Sequence, residues 1–183
     1  MTLTPTPIEG LVILEPRVHP DSRGYFFESY NDRVFKELTG HQHPFIQDNQ
    51  AKSVKNVLRG LHYQNNPTPQ SKLVRVLEGV IWDVAVDIRP GSPTYGQWFG
   101  VELSAENKKQ LFVPRGFAHG YSVLSDTAEI LYKCDNLYDK GAEGGIRYND
   151  PALGIDWKIN LDAAIVSDKD LVQPLFAAAR IEF

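Results

Sequence analysis

The chain has 183 residues, 42% of them hydrophobic and 23% charged, which supplies enough apolar material for the core of one globular domain spanning residues 1–183. Its 19 Lys and Arg against 23 Asp and Glu leave a net charge of −4, so no bulk positive field exists to hold nucleic acid or an anionic membrane. Any anionic ligand must be met by local cations, and no apolar run approaches the roughly 18 residues of a membrane span.

In chain order, the first element signalled is a short helix. Asn31 can cap it, Val34, Phe35 and Leu38 share one side, and Gly40 can stop it. The next is a hairpin between Leu73 and Ile88, two β-rich runs around a Glu78-Gly79 turn. Shorter β-rich runs follow at Trp98–Leu103, Gln110–Val113, Gly120–Leu124 and Ala128–Tyr132, separated by Gly, Pro, Ser and Asp. That spacing predicts an all-β core, a sandwich or a barrel. Residues Asp139 to Asp150 read as a loop rich in Gly and acidic residues. A turn of helix is expected from Ser167, and the apolar tail Leu175–Phe183 wants a partner surface, either the body or another subunit. The lone Cys134 cannot close an intrachain disulfide, and the N-terminus lacks the basic start and apolar core of a signal peptide, so a cytoplasmic protein is expected.

Several polar residues stand where strands are expected. Alternation puts Lys72 on one face with Val74 and Val76, and Asp83 on one face with Ile81 and Ala85. Periodicity alone leaves open whether these charges enter a barrel or sit at strand ends in solvent. Ahead of Lys72, Arg59-Gly60-Leu61-His62-Tyr63-Gln64 places a guanidinium suited to phosphate and an imidazole suited to a proton around a glycine. His119, in a Gly-rich approach to a strand, reads as structural, held by a hydrogen bond to a buried acid such as Asp83. Tyr132 taken alone reads as a core aromatic or a wet one. Asp170, three residues after Ser167, fits a capping box.

Other chemistries find little support. The His41-Gln42-His43 pair precedes a proline and has no acidic partner nearby in sequence, so no metal is expected. Neither a nucleophile elbow nor a Gly-rich phosphate loop is present, and no cofactor is expected. A set of His, Lys, Tyr, Arg and Asp in a β framework suits acid/base work on a bound anion.

The ordered blocks Arg23-Gly24-Tyr25-Phe26-Phe27-Glu28, Gln47-Asp48-Asn49, Arg59 to Gln64, Lys72, Pro114 to Gly120 and Tyr132-Lys133 resemble the dTDP-4-dehydrorhamnose 3,5-epimerases. The likeness runs from about Ile8 to Asp170. It implies a cupin jelly-roll barrel with short peripheral helices, a homodimer, no metal, and conversion of dTDP-4-dehydro-6-deoxy-D-glucose to dTDP-4-dehydro-L-rhamnose for polysaccharide biosynthesis. Carried over residue by residue, it makes His62 the base, Asp170 its orienting carboxylate, Lys72 the cation for the enolate oxygen and Tyr132 the acid on the opposite face. It further assigns Arg23, Glu28, Gln47, Asn49, Arg59, His119, Glu143 and Lys169 to the nucleotide-sugar, with Tyr138 stacked on thymine. Arg23 and Glu28, in the N-terminal segment, are expected to complete a neighbouring subunit's site. The alternatives are an enzyme that inverts only one carbon, a keto-sugar isomerase on the same barrel, and a non-catalytic sugar-binding cupin.

Overall fold

The computed structural model describes residues 1–183. In chain order the strands are β1 (Thr2–Pro5), β2 (Val12–Glu15), β3 (His19–Asp21) and β4 (Gly24–Phe26); helix α1 (Asp32–Thr39); then β5 (Gln47–Val54), β6 (Leu58–Gln64), β7 (Lys72–Glu78) and β8 (Val80–Asp87). There follow β9 (Trp98–Ser104), β10 (Gln110–Val113), β11 (Phe117–Val123), β12 (Thr127–Cys134), β13 (Glu143–Gly145) and the one-turn helix α2 (Asp168–Leu171). A six-stranded sheet in the order β1-β2-β10-β7-β12-β5 faces a five-stranded sheet in the order β13-β6-β11-β8-β9. All pairings are antiparallel within these sheets, and β3 and β4 form a separate two-stranded arm.

The main core fills the space between the sheets. Val74, Val76, Leu111 and Ile130 of the six-stranded sheet meet Ile81, Ala85, Leu103 and Tyr121 of the five-stranded one. Each of the Val, Leu and Ile side chains contributes roughly 1.5–3 kcal/mol on full burial. A second cluster, including Leu61, Tyr63, Val84 and Trp157, covers the outer face of the five-stranded sheet with the C-terminal third of the chain. Both faces of that sheet are therefore dry, which explains why β8 and β11 are buried almost throughout.

The expected hairpin at Glu78-Gly79 is corrected. Strands form on both sides of the turn, but β7 belongs to the six-stranded sheet and β8 to the five-stranded one. Gly79, at φ 78°, turns the chain from one sheet into the other instead of folding it back. A Cβ there would meet Thr127 O at 2.0 Å, so only glycine fits the corner. Periodicity cannot separate a hairpin from a corner, because both look like strand, turn, strand. Residues 139–150 also differ from expectation: Glu143–Gly145 is an edge strand paired with β6.

The helices are as expected. The Asn31 side chain accepts from Val34 N–H, Gly40 closes α1 in the left-handed conformation, and Phe35 packs against Leu14, Leu73 and Phe112. Ser167 caps α2 by accepting from Asp170 N–H. The tail packs on the body of the same chain through Phe176, Ala179 and Ile181.

Candidate active site

Sheet alternation delivers the chemistry to one place. Lys72 shares its face with Val74 and Val76, both core residues, and Asp83 shares its face with Ile81 and Ala85, so both charges point between the sheets. His62 on β6 stands directly opposite His119 on β11 in the five-stranded sheet. Lys72 on β7 and Tyr132 on β12 come from the six-stranded sheet. Imidazole and phenol thus reach the interior from opposite walls.

Two cavities meet at these groups. One, of about 510 Å³, is lined by Arg59, His62, Lys72, His119, Tyr132, Lys169 and Asp170, with apolar contributions from Ala51, Val57, Ile130 and Val166. The other, of about 350 Å³, is lined by Gln47, Asn49, His62, Lys72, Tyr132, Tyr138 and Glu143. His62, Lys72 and Tyr132 are common to both. Together they form a two-lobed cleft with an imidazole, an ammonium and a phenol at its waist.

His62 Nε2 lies 2.6 Å from Asp170 Oδ1. The carboxylate fixes the imidazole with its proton on Nε2 and leaves Nδ1 as the free lone pair. Burial pushes the Asp170 carboxyl up, but the His62 contact, the Gly60 N–H and Ser167 outweigh it and hold the group below the usual carboxylate range. The Gly60 N–H donates to Oδ2 at 3.3 Å. The capping box expected at Ser167 is thus half made: the hydroxyl caps Asp170 N–H at 3.2 Å, while the carboxylate is turned to His62.

Gly60 sits where β6 and β11 almost touch. Its φ is +134°, and a Cβ would meet Gly120 Cα at 2.6 Å. The pair of glycines lets two strand backbones approach within the width of a side chain, and His62 and His119 flank that crossing.

His119 Nε2 lies 2.7 Å from Asp83 Oδ1, the structural pairing expected from sequence, and Asp83 is fully buried. Lys72 forms no ion pair; its ammonium lies 5.9 Å from the Tyr132 ring centre. Burial pulls the Lys72 pKa down, opposed by Cys134, Asp83 and Glu143. Burial pushes the Tyr132 phenol up to about 12, with Arg59 opposing, so it stays protonated across the neutral range.

At the second lobe a relay orders the polar groups. Tyr138 N–H donates to Gln47 Oε1 at 3.0 Å, Gln47 Nε2 donates to Asn49 Oδ1 at 3.0 Å, and Asn49 Nδ2 reaches Cys134 Sγ at 3.6 Å. Glu143 accepts from the Tyr138 hydroxyl at 3.2 Å and pairs with Lys169. Tyr138 is 56% exposed, a free aromatic face at the rim.

Arg23 and Glu28 do not join the cleft. Arg23 pairs with Asp21 on the β3–β4 arm with its side chain 88% exposed, and Glu28 accepts from Asn31 at 3.2 Å. The expected isolation of His41 from any acid is corrected: Asp135 Oδ2 lies 3.3 Å from its Nε2, and Arg115 shares that carboxylate. An acid 94 positions along the chain cannot be foreseen as a neighbour from local sequence.

Sequence reasoning missed Ser53 and Tyr121. Arg59 Nε donates to Ser53 Oγ at 3.2 Å, with the Tyr121 hydroxyl 3.5 Å from that oxygen. Tyr121 was within reach, since it lies two residues from His119 on the same strand face. Ser53 was not, because it comes from β5 in the other sheet.

A sequence model of the family described as dTDP-4-dehydrorhamnose 3,5-epimerase matches residues 5–178. The dTDP-4-dehydrorhamnose 3,5-epimerase of Salmonella typhimurium is 53% identical over 98% of this chain and 97% of its own length. Among solved structures, a dTDP-6-deoxy-D-glucose-3,5-epimerase from Legionella pneumophila in complex with dTDP-4-keto-L-rhamnose is 48% identical, with a TM-score of 0.93 over 97% of this chain and 93% of that one. A 3'-monoepimerase from Streptomyces bikiniensis in complex with dTDP-quinovose is 35% identical, with a TM-score of 0.89 over 94% of this chain and 87% of that one. The two-walled cleft thus stands on a fold shared over nearly its whole length with nucleotide-sugar epimerases, and the chain belongs to the dTDP-4-dehydrorhamnose 3,5-epimerase family.

Proposed function

We propose that the cleft epimerises C3 and C5 of dTDP-4-dehydro-6-deoxy-D-glucose, giving dTDP-4-dehydro-L-rhamnose for dTDP-rhamnose biosynthesis. The observation that carries this reading is the placement of His62 and Tyr132 on opposite sheets around one cavity that Lys72 also lines. Inversion needs a proton removed from one face of a carbon and another delivered to the opposite face; exchange alone needs only one group.

The protons acidified by the C4 ketone are those on C3 and C5. His62 Nδ1 takes one, the C–H electron pair passes into the carbonyl, and the enolate oxygen forms beside the Lys72 ammonium. The enolate collapses as Tyr132 donates its phenolic proton from the other wall. One cycle leaves imidazolium and phenolate, and proton exchange with solvent restores both. Asp170 stabilises the imidazolium and keeps Nε2 turned away from the sugar. Arg59, a cation without a carboxylate partner, suits the diphosphate, with Lys169 and His119 around it; Gln47, Asn49, Tyr138 and Glu143 then serve the nucleotide in the second lobe.

The homodimer belongs to the same proposal. Arg23 and Glu28 lie outside their own cleft, and Tyr25 and Phe26 beside them are 60% and 71% exposed. An arm carrying two site-type charges and two largely exposed aromatic rings suits delivery to a neighbouring subunit's cleft. A cytoplasmic location is supported by the single cysteine, buried without a disulfide partner. No helix is long and apolar enough to cross a membrane. The one-carbon alternative is supported by the likeness to the 3'-monoepimerase, at lower identity than the 3,5-epimerases.

Incubation with dTDP-4-dehydro-6-deoxy-D-glucose in D₂O, followed by NMR, tests the reading. Deuterium at both C3 and C5 with inversion at both supports it; exchange at one carbon alone replaces it with the one-carbon alternative.

A further inference from the structure

The His62–Asp170 contact joins two segments 108 residues apart, and one of them has little means of holding itself in place. Helix α2 has four residues, well under the length at which a helix sustains itself in water. Its Leu171 is 48% exposed and the following Val172 76%, so its own packing anchors it weakly. Something outside it must set the position of Asp170.

On the upstream side, Ile165 is bridged to Val57, the residue just ahead of β6, with Leu58 N–H donating to Ile165 O at 3.0 Å. On the downstream side stands Arg147. Its backbone N–H donates to Pro174 O at 2.8 Å, and its guanidinium Nε donates to Gln173 O at 3.1 Å. Arg147 forms no ion pair; its guanidinium is spent on a main-chain carbonyl three residues past Asp170. It follows Ile146, which exchanges both backbone hydrogen bonds with Leu61, the residue before His62.

The tail then returns to the same strand. The side chain of Asn65, 1% exposed, donates to Arg180 O at 3.1 Å and accepts from Glu182 N–H at 2.7 Å. The Tyr63 hydroxyl donates to the same Arg180 carbonyl at 2.7 Å, and Asn66 N–H donates to Glu182 O at 2.9 Å. Residues 173–183 therefore form a strap fastened at both ends to β6 or to its immediate partner, and Asp170 sits just ahead of the first fastening.

We propose that Arg147 and Asn65 are positioning residues for the reaction, acting through the C-terminal strap to hold Asp170 in hydrogen-bonding register with His62. Neither lines the cleft. The proposal rests on the functional reading above only for its kinetic arm.

The test uses Arg147→Leu and Asn65→Ala in the whole chain, each also combined with Asp170→Asn. Misplacing a catalytic group by about 1 Å can cost on the order of 10²-fold, so kcat is expected to fall about 10- to 100-fold in Arg147→Leu and less in Asn65→Ala. In the Asp170→Asn background neither substitution lowers kcat further, because the group they position is already lost. Independently of turnover, the downfield proton resonance of the short His62–Asp170 hydrogen bond is expected in the wild type and broadened or lost in both variants. Thermal unfolding identifies any variant that fails to fold, and the variant that folds then carries the test. Equal kcat losses with and without Asp170, or an unchanged resonance and rate in folded variants, overturn the proposal. A wild type inactive on the keto-sugar would sink the functional reading while the resonance still reported on the strap.

Discussion

Replacing Tyr132 by Phe removes one oxygen and keeps the ring. The Tyr132 hydroxyl makes no hydrogen bond to another protein group, and the ring still packs beside Lys72 in the wall of the cleft. No buried partner is orphaned, so stability should change by no more than about 0.5 kcal/mol. His62, Asp170 and Lys72 are untouched, so proton removal and the enolate survive. Return of a proton from the far wall does not. Loss of a positioned acid costs about 10²–10⁴-fold, or about 2.7–5.4 kcal/mol in the barrier to inversion. In D₂O the variant should exchange protons next to the ketone at near wild-type rate while inverted product falls by at least about 100-fold. NMR reads both quantities from one sample. The phenol is pushed up to about 12, so the wild-type ratio of inversion to exchange should stay flat with pH to about pH 11. If exchange and inversion fall by the same factor, Tyr132 positions the sugar and the acid lies elsewhere.

His62→Ala should abolish exchange at both carbons, by at least about 10²–10⁴-fold, while dTDP binding by calorimetry stays near wild type. Gly60→Ala should destabilise by at least about 2 kcal/mol in urea unfolding, because a Cβ at φ +134° meets Gly120 Cα at 2.6 Å; a near-neutral result would mean the β6–β11 crossing yields easily. Asp170 titrates below its ordinary value in the folded chain, so it adds stability above the unfolded carboxylate pKa of about 3.9 and loses it as pH falls through the folded value. Asp170→Asn should therefore flatten the acid limb of the stability–pH curve below about pH 4, measured by thermal unfolding at stepped pH. Exhaustive chelation should leave turnover unchanged, since in the proposed mechanism Lys72 supplies the charge beside the enolate oxygen; a rate lost to chelator and restored by one metal would refute that role.

The two helices and the runs that became β7 to β12 were legible in the sequence because local rules govern them, whereas β1 to β6, which carry His62, and the edge strand β13 were not foreseen. Alternation put Lys72 and Asp83 on one face with apolar neighbours but left open whether that face was interior, and the spacing of Asn31, Phe35 and Gly40 defined α1 through its caps. Ser167 marked α2 for the same reason. The pairing of His119 with Asp83 was also within reach, as two polar groups on faces that must be dry. Family resemblance, not periodicity, assigned His62, Tyr132 and Asp170 to one reaction, and folding brings those three residues to one cleft.

What the tertiary structure alone decided concerns which surfaces face each other. Period-2 patterning says which side of a strand is dry but not which sheet the strand joins, so Glu78-Gly79 looked like a hairpin and is a corner between sheets. The placement of His62 and Tyr132 on opposite walls depends on that corner and on the packing of two sheets around a shared core. The same limit hid Ser53 beside Arg59, Asp135 beside His41, and the fastening of the tail to β6 through Asn65. Each joins residues distant in the chain, and the free energy that selects them comes from burying both partners together, which no local stretch of sequence expresses.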